Sequence, residues 1–377
     1  MKKFSILSLG LLALLFSGCD VDEMITRIEA GTPVVFSAST VYYSGLPTRT
    51  EYSGKDQNDN PMGSSSQWER IDWKDGDLIR IWCDNEIGGG NFYPNATDHF
   101  SDYRVKSHEM NANDKKQSIA TMENAASNGL TWGENKEHKF YALYPSPATD
   151  GVDAAKVKLE GNVITASTPA AQTVTLKSGT TAFYEPDMKH YGYMWAAKAT
   201  NPGVKVDLGF KPLMTAFEFN LINNTGSTMT LQSFSMSSAN GNLAGDFTAT
   251  VGTDMETLTI GAPTNAGNTV TVGFGGDVTL ADQASITLTL FTLPLNPTQL
   301  TIHVNTTAGS KSLKLQQMQS GTMTWIPFTA CKKYRLTNIQ VGEVITWDVT
   351  YDVLSMGHEV AYQYTGSNIT TDWVTPE

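Results

Sequence analysis

The sequence predicts an all-β protein built from β-sandwich domains, and three observations carry that prediction. Short segments alternate apolar and polar residues, polar turns rich in Gly, Asn and Asp separate them, and long helical periodicity is scarce. Alternation with period two is typical of strands that have one face on a core and one in water. The best helix candidate, residues 106–126, has few apolar positions. With 377 residues, 40% of them hydrophobic, the chain is long enough for two domains.

The first residues have the pattern of a bacterial export signal of the lipoprotein kind. Lys2 and Lys3 precede an apolar run over residues 4–16, and two small residues and Cys19 end it. Spanning a bilayer takes ~20 apolar residues, whereas ~7–15 suit a signal peptide. We therefore expect residues 1–18 to be the signal peptide and Cys19 to become the lipidated first residue.

The charge and the cysteine and histidine content exclude some classes of partner and cofactor. The formal charge of −12 argues against nucleic acid or anionic lipid as a partner. Besides Cys19 the chain has Cys83 and Cys331, which could form one disulfide in an oxidising compartment or stay as two buried free thiols. The six histidines are scattered without ligand spacing, and no cofactor or metal is expected.

The segment after Cys19 contains a tether and an isolated strand. Residues 20–32 are acidic and read as a tether, and residues 33–43 alternate as a strand. One face of that strand carries Val34, Phe36, Ala38 and Tyr42. A polar loop separates this strand from the first domain. Near the start of that domain lies an acidic nest, formed by Asp72, Asp75 and Asp77, in which Asp75-Gly76 predicts a tight turn. Because that nest lacks calcium-loop spacing, turn formation explains it without metal or catalysis.

The best domain boundary is Asn201-Pro202-Gly203, beyond which the alternation becomes cleaner. We expect a lipidated tether and first strand over 19–49, an N-terminal sandwich over 50–202, a C-terminal sandwich over 203–341 and a tail over 342–377.

The tail carries a long two-faced strand. Its apolar face is formed by Ile345, Trp347, Val349, Tyr351 and Val353, and polar residues alternate with them. Two interpretations are open: a final edge strand of the second domain, or a strand offered to another molecule.

These features together resemble the fimbrillin family of Bacteroides-type bacteria, whose members are subunits of type V pili. The resemblance covers most of the chain and rests on the order of moderately specific motifs. Besides the signal at Cys19 and the strand 33–43 with Thr48-Arg49-Thr50, these are segments 71–77, 210–219, 241–247 and 327–336.

The resemblance implies two tandem transthyretin-like sandwiches. It also implies an order of export, cleavage and assembly steps. The precursor would be exported as an outer-membrane lipoprotein, held to lipid through Cys19, and cut by an arginine-specific surface protease between Arg49 and Thr50. The cut would remove the first strand together with the lipid, and a tail strand of the next subunit would fill the groove. Head-to-tail repetition would build the pilus from like or different subunits.

The sequence also has features in common with other functional classes. Anchor subunits of such pili keep their lipid, and tip subunits need not donate a tail. A glycan-binding surface lipoprotein would share the export signal and use tryptophans as sugar platforms, but the only cluster, Trp68, Trp73 and Trp82, is explained more simply by packing. A glycosidase would need a carboxylate pair, and no hydrolase signature is present, so an enzyme is not expected.

Overall fold

The computed structural model describes residues 31–40, 51–52, 71–84, 99–110, 118–125, 129–133, 137–177, 182–319, 322–347, 350–354, 362–365 and 369–370. Cys19, Tyr42, Arg49, Thr50 and Val349 lie outside these residues. Among the residues that are described, no helix has the length and apolar character needed to cross a bilayer.

The described chain consists mainly of β-strands and has almost no helix, which confirms the predicted all-β class. The strands before the one short helix are β1 (Phe36–Thr40), β2 (Glu51–Tyr52), β3 (Ile71–Asp72), β4 (Leu78–Asp84), β5 (Phe100–Met110), β6 (Ser118–Asn124), β7 (His138–Tyr144), β8 (Lys158–Glu160), β9 (Val163–Thr168), β10 (Ala171–Leu176) and β11 (Phe183–Pro186). Helix α1 (Met188–Tyr191) begins after Asp187, whose side chain accepts a hydrogen bond from the Lys189 N–H.

The strands after the helix run to residue 370. They are β12 (Met194–Thr200), β13 (Val206–Pro212), β14 (Thr215–Asn223), β15 (Met229–Ser238), β16 (Ala244–Val251), β17 (Leu258–Ile260), β18 (Thr264–Gly267), β19 (Thr269–Leu280), β20 (Ser285–Thr292), β21 (Leu300–Thr306), β22 (Gly309–Lys314), β23 (Gln316–Gln319), β24 (Thr322–Trp325), β25 (Lys333–Val341), β26 (Ile345–Trp347), β27 (Thr350–Leu354), β28 (Tyr362–Thr365) and β29 (Ile369–Thr370).

The first large sheet closes into a barrel of seven described strands. Its order is β1-β13-β12-β7-β4-β5-β6, and β6 returns to β1. Alternate residues of each strand face inward, as the period-two pattern predicts. The large side chains of this interior are aromatic: Phe36, Trp73, Tyr103, Trp132, Phe140, Tyr144 and Phe210.

The described parts of the helix candidate 106–126 are strands. In its place the end of β5 pairs antiparallel with β6, with Val105 opposite Met122. Val105 and Ala120 enter the barrel core from alternate strand positions. Pairing with neighbouring strands and burial on one face decide the structure here, because the segment has too few apolar residues for a helical stripe.

The second large sheet carries its own core. Its main path is β22-β21-β15-β19-β10-β11-β20-β14-β25-β26-β29, and β27 also pairs with β25. β14 lies between antiparallel β20 and parallel β25. Phe217, Phe219 and Leu221, which alternate with Glu218 and Asn220 in the sequence, are buried in this core.

A third core joins the barrel to the rest of the chain. The smaller sheet β17-β16-β9-β8, with β18 on β16, packs its apolar residues against the outer face of the barrel. Tyr141 and Leu143 point out of the barrel at β7 and share this core with Ile164 on β9 and Phe247 on β16.

Backbone pairing crosses the predicted boundary at 202 in both directions. β13 follows the boundary but belongs to the barrel. β9, β10 and β11 precede it but pair with β16, β19 and β20. The division into 50–202 and 203–341, and the transthyretin-like form of each part, stay predictions.

Candidate functional site

The first strand occupies a site between two neighbours that come from distant parts of the chain. β1 pairs in parallel with β13, with Phe36 opposite Val206, and antiparallel with β6, with Ala38 opposite Ala120. β1 is therefore hydrogen-bonded on both edges and completes the barrel. We call the β13 and β6 edges, with the interior residues that β1 covers, the β1 site.

The segment just before β1 is also paired. The Val34 N–H donates to the Leu130 carbonyl at 2.9 Å, and the Trp132 N–H donates to the Thr32 carbonyl at 2.8 Å. The Val206 N–H donates to the Val35 carbonyl at 2.8 Å, which joins this segment to β13. Main-chain bonds thus hold the chain from residue 31 onward, before the first full strand position.

Side chains of the first strand are buried in the barrel interior. Val34, Phe36 and Ala38, three of the four residues predicted to share its buried face, are 5%, 2% and 0% exposed. The ring of Phe36 packs edge to face on Tyr103 and Phe140, with centroid distances of 4.9 and 5.3 Å. These contacts make Phe36 the main apolar anchor of β1.

A polar contact joins the outer face of β1 to the neighbouring strand β13. The Ser37 Oγ donates to Asp207 Oδ1, and Lys205 Nζ lies 2.7 Å from the same carboxyl oxygen. Burial raises the pKa of Asp207, but the hydrogen bonds from Lys205 and Ser37 outweigh it and hold the pKa below its usual value. The charged carboxylate therefore favours β1 in place.

The acidic nest at the start of the first domain serves the turn next to β4. Lys74 N–H donates to Asp77 Oδ2 at 2.8 Å, and Asp75 Oδ1 lies 2.9 Å from His108 Nδ1. Gly76 adopts φ +93°, a conformation that favours glycine. Over the part of the chain that the structure describes, no group of three or more His, Cys, Asp or Glu side chains is arranged to hold a metal ion.

The tail returns to its own second sheet. β26 and β27 both pair antiparallel with β25, and the register sets Ile345, Trp347, Tyr351 and Val353 opposite residues of β25 that are all buried in the second core. Ile345 itself is 1% exposed. In this structure the tail extends the second sheet of its own chain, with β29 on the far side of β26 and β28 on the far side of β27. This is pairing within the chain, the first of the two alternatives that the sequence left open.

A buried ion cluster lies on β25 beside the tail. Arg335 Nε donates to Glu218 Oε1 at 2.6 Å, and Lys333 Nζ lies 2.7 Å from Glu218 Oε2. Burial raises the pKa of Glu218, but the two cations outweigh it and lower the pKa to about 2. Sequence reasoning missed these residues, because Glu218 alternates with Phe217 and Phe219 as a solvent-facing residue would.

The structure decides between the two alternatives for the cysteines and shows packing for two of the three clustered tryptophans. No disulfide joins Cys83 and Cys331, and Cys83 is buried in the barrel core. Burial raises the pKa of Cys331 to about 12. Trp73 is fully buried, and Trp82 stacks on His99 with a centroid distance of 5.2 Å. Trp68 lies outside the described residues.

A comparison with solved structures returned proteins from Bacteroides, Parabacteroides and Porphyromonas. A candidate cell adhesion protein from Bacteroides ovatus is 12% identical, with a TM-score of 0.47 over 92% of this chain and 99% of its own. A fimbrial assembly protein from Parabacteroides distasonis is 10% identical, with a TM-score of 0.39 over 88% and 99%. A tip fimbrial protein from Porphyromonas gingivalis is 8% identical, with a TM-score of 0.38 over 85% and 99%.

The family is shown by the sequence itself. A search of curated proteins found no match. The fimbrillin-like family profile, however, matches residues 65–353, which is well over half of the chain and includes most strands of the barrel and of both other sheets. The chain therefore belongs to the fimbrillin-like family, a family of structural fimbrial subunits at the cell surface rather than of enzymes.

Proposed function

We propose that this protein is a pilus subunit that polymerises by strand exchange at the β1 site. The observation that carries the proposal is the position of β1 between β13 and β6, with Phe36 buried in the barrel. Removing β1 would expose two rows of unpaired N–H and C=O groups beside an apolar trough. Such an edge invites strand addition from another chain.

The proposed removal is a single cut between Arg49 and Thr50 by an arginine-specific surface protease. Because Cys19 and β1 both precede Arg49, one cut would release the lipid anchor and the first strand together. The precursor would be an outer-membrane lipoprotein, and the mature chain would enter the pilus. β1 ends at Thr40, so the cleavage position follows the strand by nine residues and leaves the barrel strand β4 intact.

The replacement strand would come from the tail of another subunit, with Ile345, Trp347, Val349, Tyr351 and Val353 as its apolar face. Refilling the trough left by Val34 and Phe36 would contribute ~1.5–3 kcal/mol for each large side chain. Because the β1 site and the tail are different surfaces of one chain, contacts between subunits are heterologous and extend as a filament. The partners are thus other pilus subunits.

Donation of the tail would cost free energy in the donor subunit. The tail is paired with β25, and Ile345 belongs to the second core, so the tail must leave its own subunit before it can enter another. We infer that the cis-paired tail is the storage state of the donor. The free-energy cost of separating the tail from β25 would be offset only where an open β1 site accepts the same strand. Exchange would therefore be restricted to partners that have been cleaved.

The cis-paired tail also favours a second candidate, an anchor or tip subunit that is not cleaved and does not donate. Such a subunit would keep both β1 and the tail in the positions described. A glycan-binding surface lipoprotein would likewise keep β1.

The test is an Arg49→Ala variant compared with an Arg27→Ala control, because Arg27 is an upstream arginine whose cleavage would spare the first strand. We expect Arg49→Ala to give a folded precursor that is absent from sheared fibres, and Arg27→Ala to assemble normally. Normal entry of Arg49→Ala into fibres would refute the maturation step. Exclusion of both variants would refute the assignment to Arg49 alone.

A further inference from the structure

The first strand and the tail each have five alternate positions that share one face. In the first strand these are positions 34 to 42 in steps of two, and in the tail they are Ile345 to Val353 in steps of two. A tail strand can therefore cover the β1 site over its full length in two ways, in the direction of β1 or reversed. Both alignments place Val349 at the position of Ala38, so the apolar pattern alone does not set the direction.

The polar residues of the tail differ between the two directions. Each aromatic residue of the tail is preceded by a threonine and followed by an aspartate, in 346–348 and again in 350–352. In the first strand the aromatic residue is Phe36, and Ser37 follows it. An aromatic residue of the tail at the position of Phe36 therefore brings an aspartate to Ser37 in the direction of β1, and a threonine when reversed.

The surroundings of Ser37 suit a hydroxyl rather than a carboxylate. Ser37 is 4% exposed, and its Oγ donates to Asp207 Oδ1 on β13. An aspartate at this position would lose most of its water and would lie directly opposite another carboxylate, which is destabilising. A threonine would keep the donated hydrogen bond.

The position one residue earlier suits a carboxylate. Val35 is 52% exposed, and its carbonyl accepts from β13 just beyond Lys205. The reversed alignment brings Asp352 to this position, where it remains in water beside that lysine. Glu123, an acidic residue on the other neighbouring strand β6, is already in an ion pair with Lys106 at 3.6 Å.

The interior position of Phe36 also favours the reversed alignment. Its ring lies 4.9 Å from the ring of Tyr103 and 5.3 Å from that of Phe140, and the side chain is 2% exposed. The reversed alignment fills this position with Tyr351, whose ring has the outline of phenylalanine. The other alignment fills it with Trp347, and a larger ring in a closely packed core costs stability.

We infer that the donated tail enters the β1 site in the direction opposite to β1. β1 is parallel to β13 and antiparallel to β6, so the donor would be antiparallel to β13 and parallel to β6. Tyr351 takes the place of Phe36, and Thr350 takes the place of Ser37. The direction and register rest on the strand exchange proposed above and specify how the partner strand is recognised.

Cross-linking in assembled fibres tests the direction. Lys205 and Lys211 flank Val206–Phe210, the residues of β13 that pair with β1. A reversed donor brings Asp352 beside Lys205. It brings Thr346 beside Lys211, whereas a donor in the direction of β1 exchanges the two partners. Cysteines at these four positions give two reversed pairs and two exchanged pairs, which are matched controls for each other.

Sheared fibres of each double-cysteine chain are treated with a short bismaleimide and separated on a denaturing gel. The two reversed pairs should give a ladder of linked subunits. The exchanged pairs should stay at the background of single-cysteine chains, because six residues of strand separate their partners by ~20 Å. A ladder from the exchanged pairs alone would overturn the direction and leave strand exchange standing. Fibres that give no ladder with any pair would overturn both.

A measurement on the wild-type chain avoids any folding defect of the variants. Peptides of residues 343–356 should block assembly of precursor cut at Arg49. Thr350→Asp in the peptide should raise its half-inhibition concentration about tenfold, through the lost hydrogen bond and the like charge opposite Asp207. Asp348→Thr is the matched control, because a reversed donor places Asp348 opposite a glycine of β13, and it should have little effect.

The peptide results separate the two directions from a failure of exchange itself. A peptide that is improved by Asp348→Thr and unaffected by Thr350→Asp would overturn the reversed direction, since Asp348 would then lie at the position of Ser37. Failure of the unmodified peptide to inhibit assembly would overturn the tail as the donor, and the direction with it.

Discussion

Phe36 and Phe140 pack edge to face with ring centroids 5.3 Å apart, although the two residues lie on strands that are not neighbours in the barrel. The contact crosses the barrel interior and ties the first strand of the chain to β7 on the far side. Removing β1 therefore takes a side chain out of the centre of the core as well as a strand out of the sheet.

This contact predicts a large stability loss in the uncleaved precursor. Phe36→Ala should lower the free energy of unfolding by ~3–5 kcal/mol, the usual cost of emptying a large aromatic site in a core. Val35, whose side chain is 52% exposed on the other face, is the matched control. Val35→Ala should change stability by less than ~0.5 kcal/mol. Urea denaturation of both variants measures this, and equal effects would contradict the packing assigned to β1.

The ion cluster on β25 predicts a second stability effect. Glu218→Gln leaves Arg335 and Lys333 buried without their counter-charge, and removing one partner of a buried pair costs ~3–5 kcal/mol. Glu160→Gln on β8, an exposed glutamate, should be close to neutral. Thermal or urea unfolding would decide the point, and a Glu218→Gln chain as stable as the wild type would show that the cluster does not hold β14 to β25.

Acid should weaken the same sheet. The Glu218 pKa is about 2 when folded, below its ordinary value of 4.5, so folding favours the charged form. The stabilisation is full above the unfolded pKa and is lost as the pH falls from about 4.5 toward 2. Wild-type stability should drop over that window more steeply than that of Glu218→Gln. If the stability of the two chains fell in parallel with pH, Glu218 would not be the cause of the acid sensitivity.

The fold class and the first-strand residues could be predicted from the sequence, because period-two alternation reports directly which residues face a core. Val34, Phe36 and Ala38 are buried as that pattern indicates. The partners of β1 could not be predicted, because β13 and β6 lie about 170 and 80 residues away and only the closed sheet brings them together. Glu218 was missed for a similar reason: both faces of β14 are buried, so alternation no longer separates core from solvent.

The two cysteines should be reduced thiols that are shielded from solvent reagents in the folded protein. Cys331 has a pKa near 12, and Cys83 lies in the barrel core, so neither thiol should react with a thiolate-directed reagent in the folded protein at pH 8. A chain that lacks Cys19 should release two titratable thiols on denaturation without reductant. A count of zero would indicate a disulfide and contradict the structure.

Deleting residues 348–377 should separate donation from acceptance. The truncation keeps Ile345 in the second core and removes most of the proposed donor face. After cleavage the truncated chain should still accept a strand from a full-length subunit but should not support a further subunit, so it should shorten fibres when the two are co-expressed. Full-length fibres made of truncated subunits alone would rule out the tail as donor.

If the first strand is temporary, as proposed, the N-terminal residue of the protein extracted from the cell surface shows it most directly. Mass spectrometry of sheared fibres should find chains that begin at Thr50, with residues 19–49 absent. Assembled chains that begin with acylated Cys19 and retain β1 would contradict the account, since the β1 site would then be closed in the pilus.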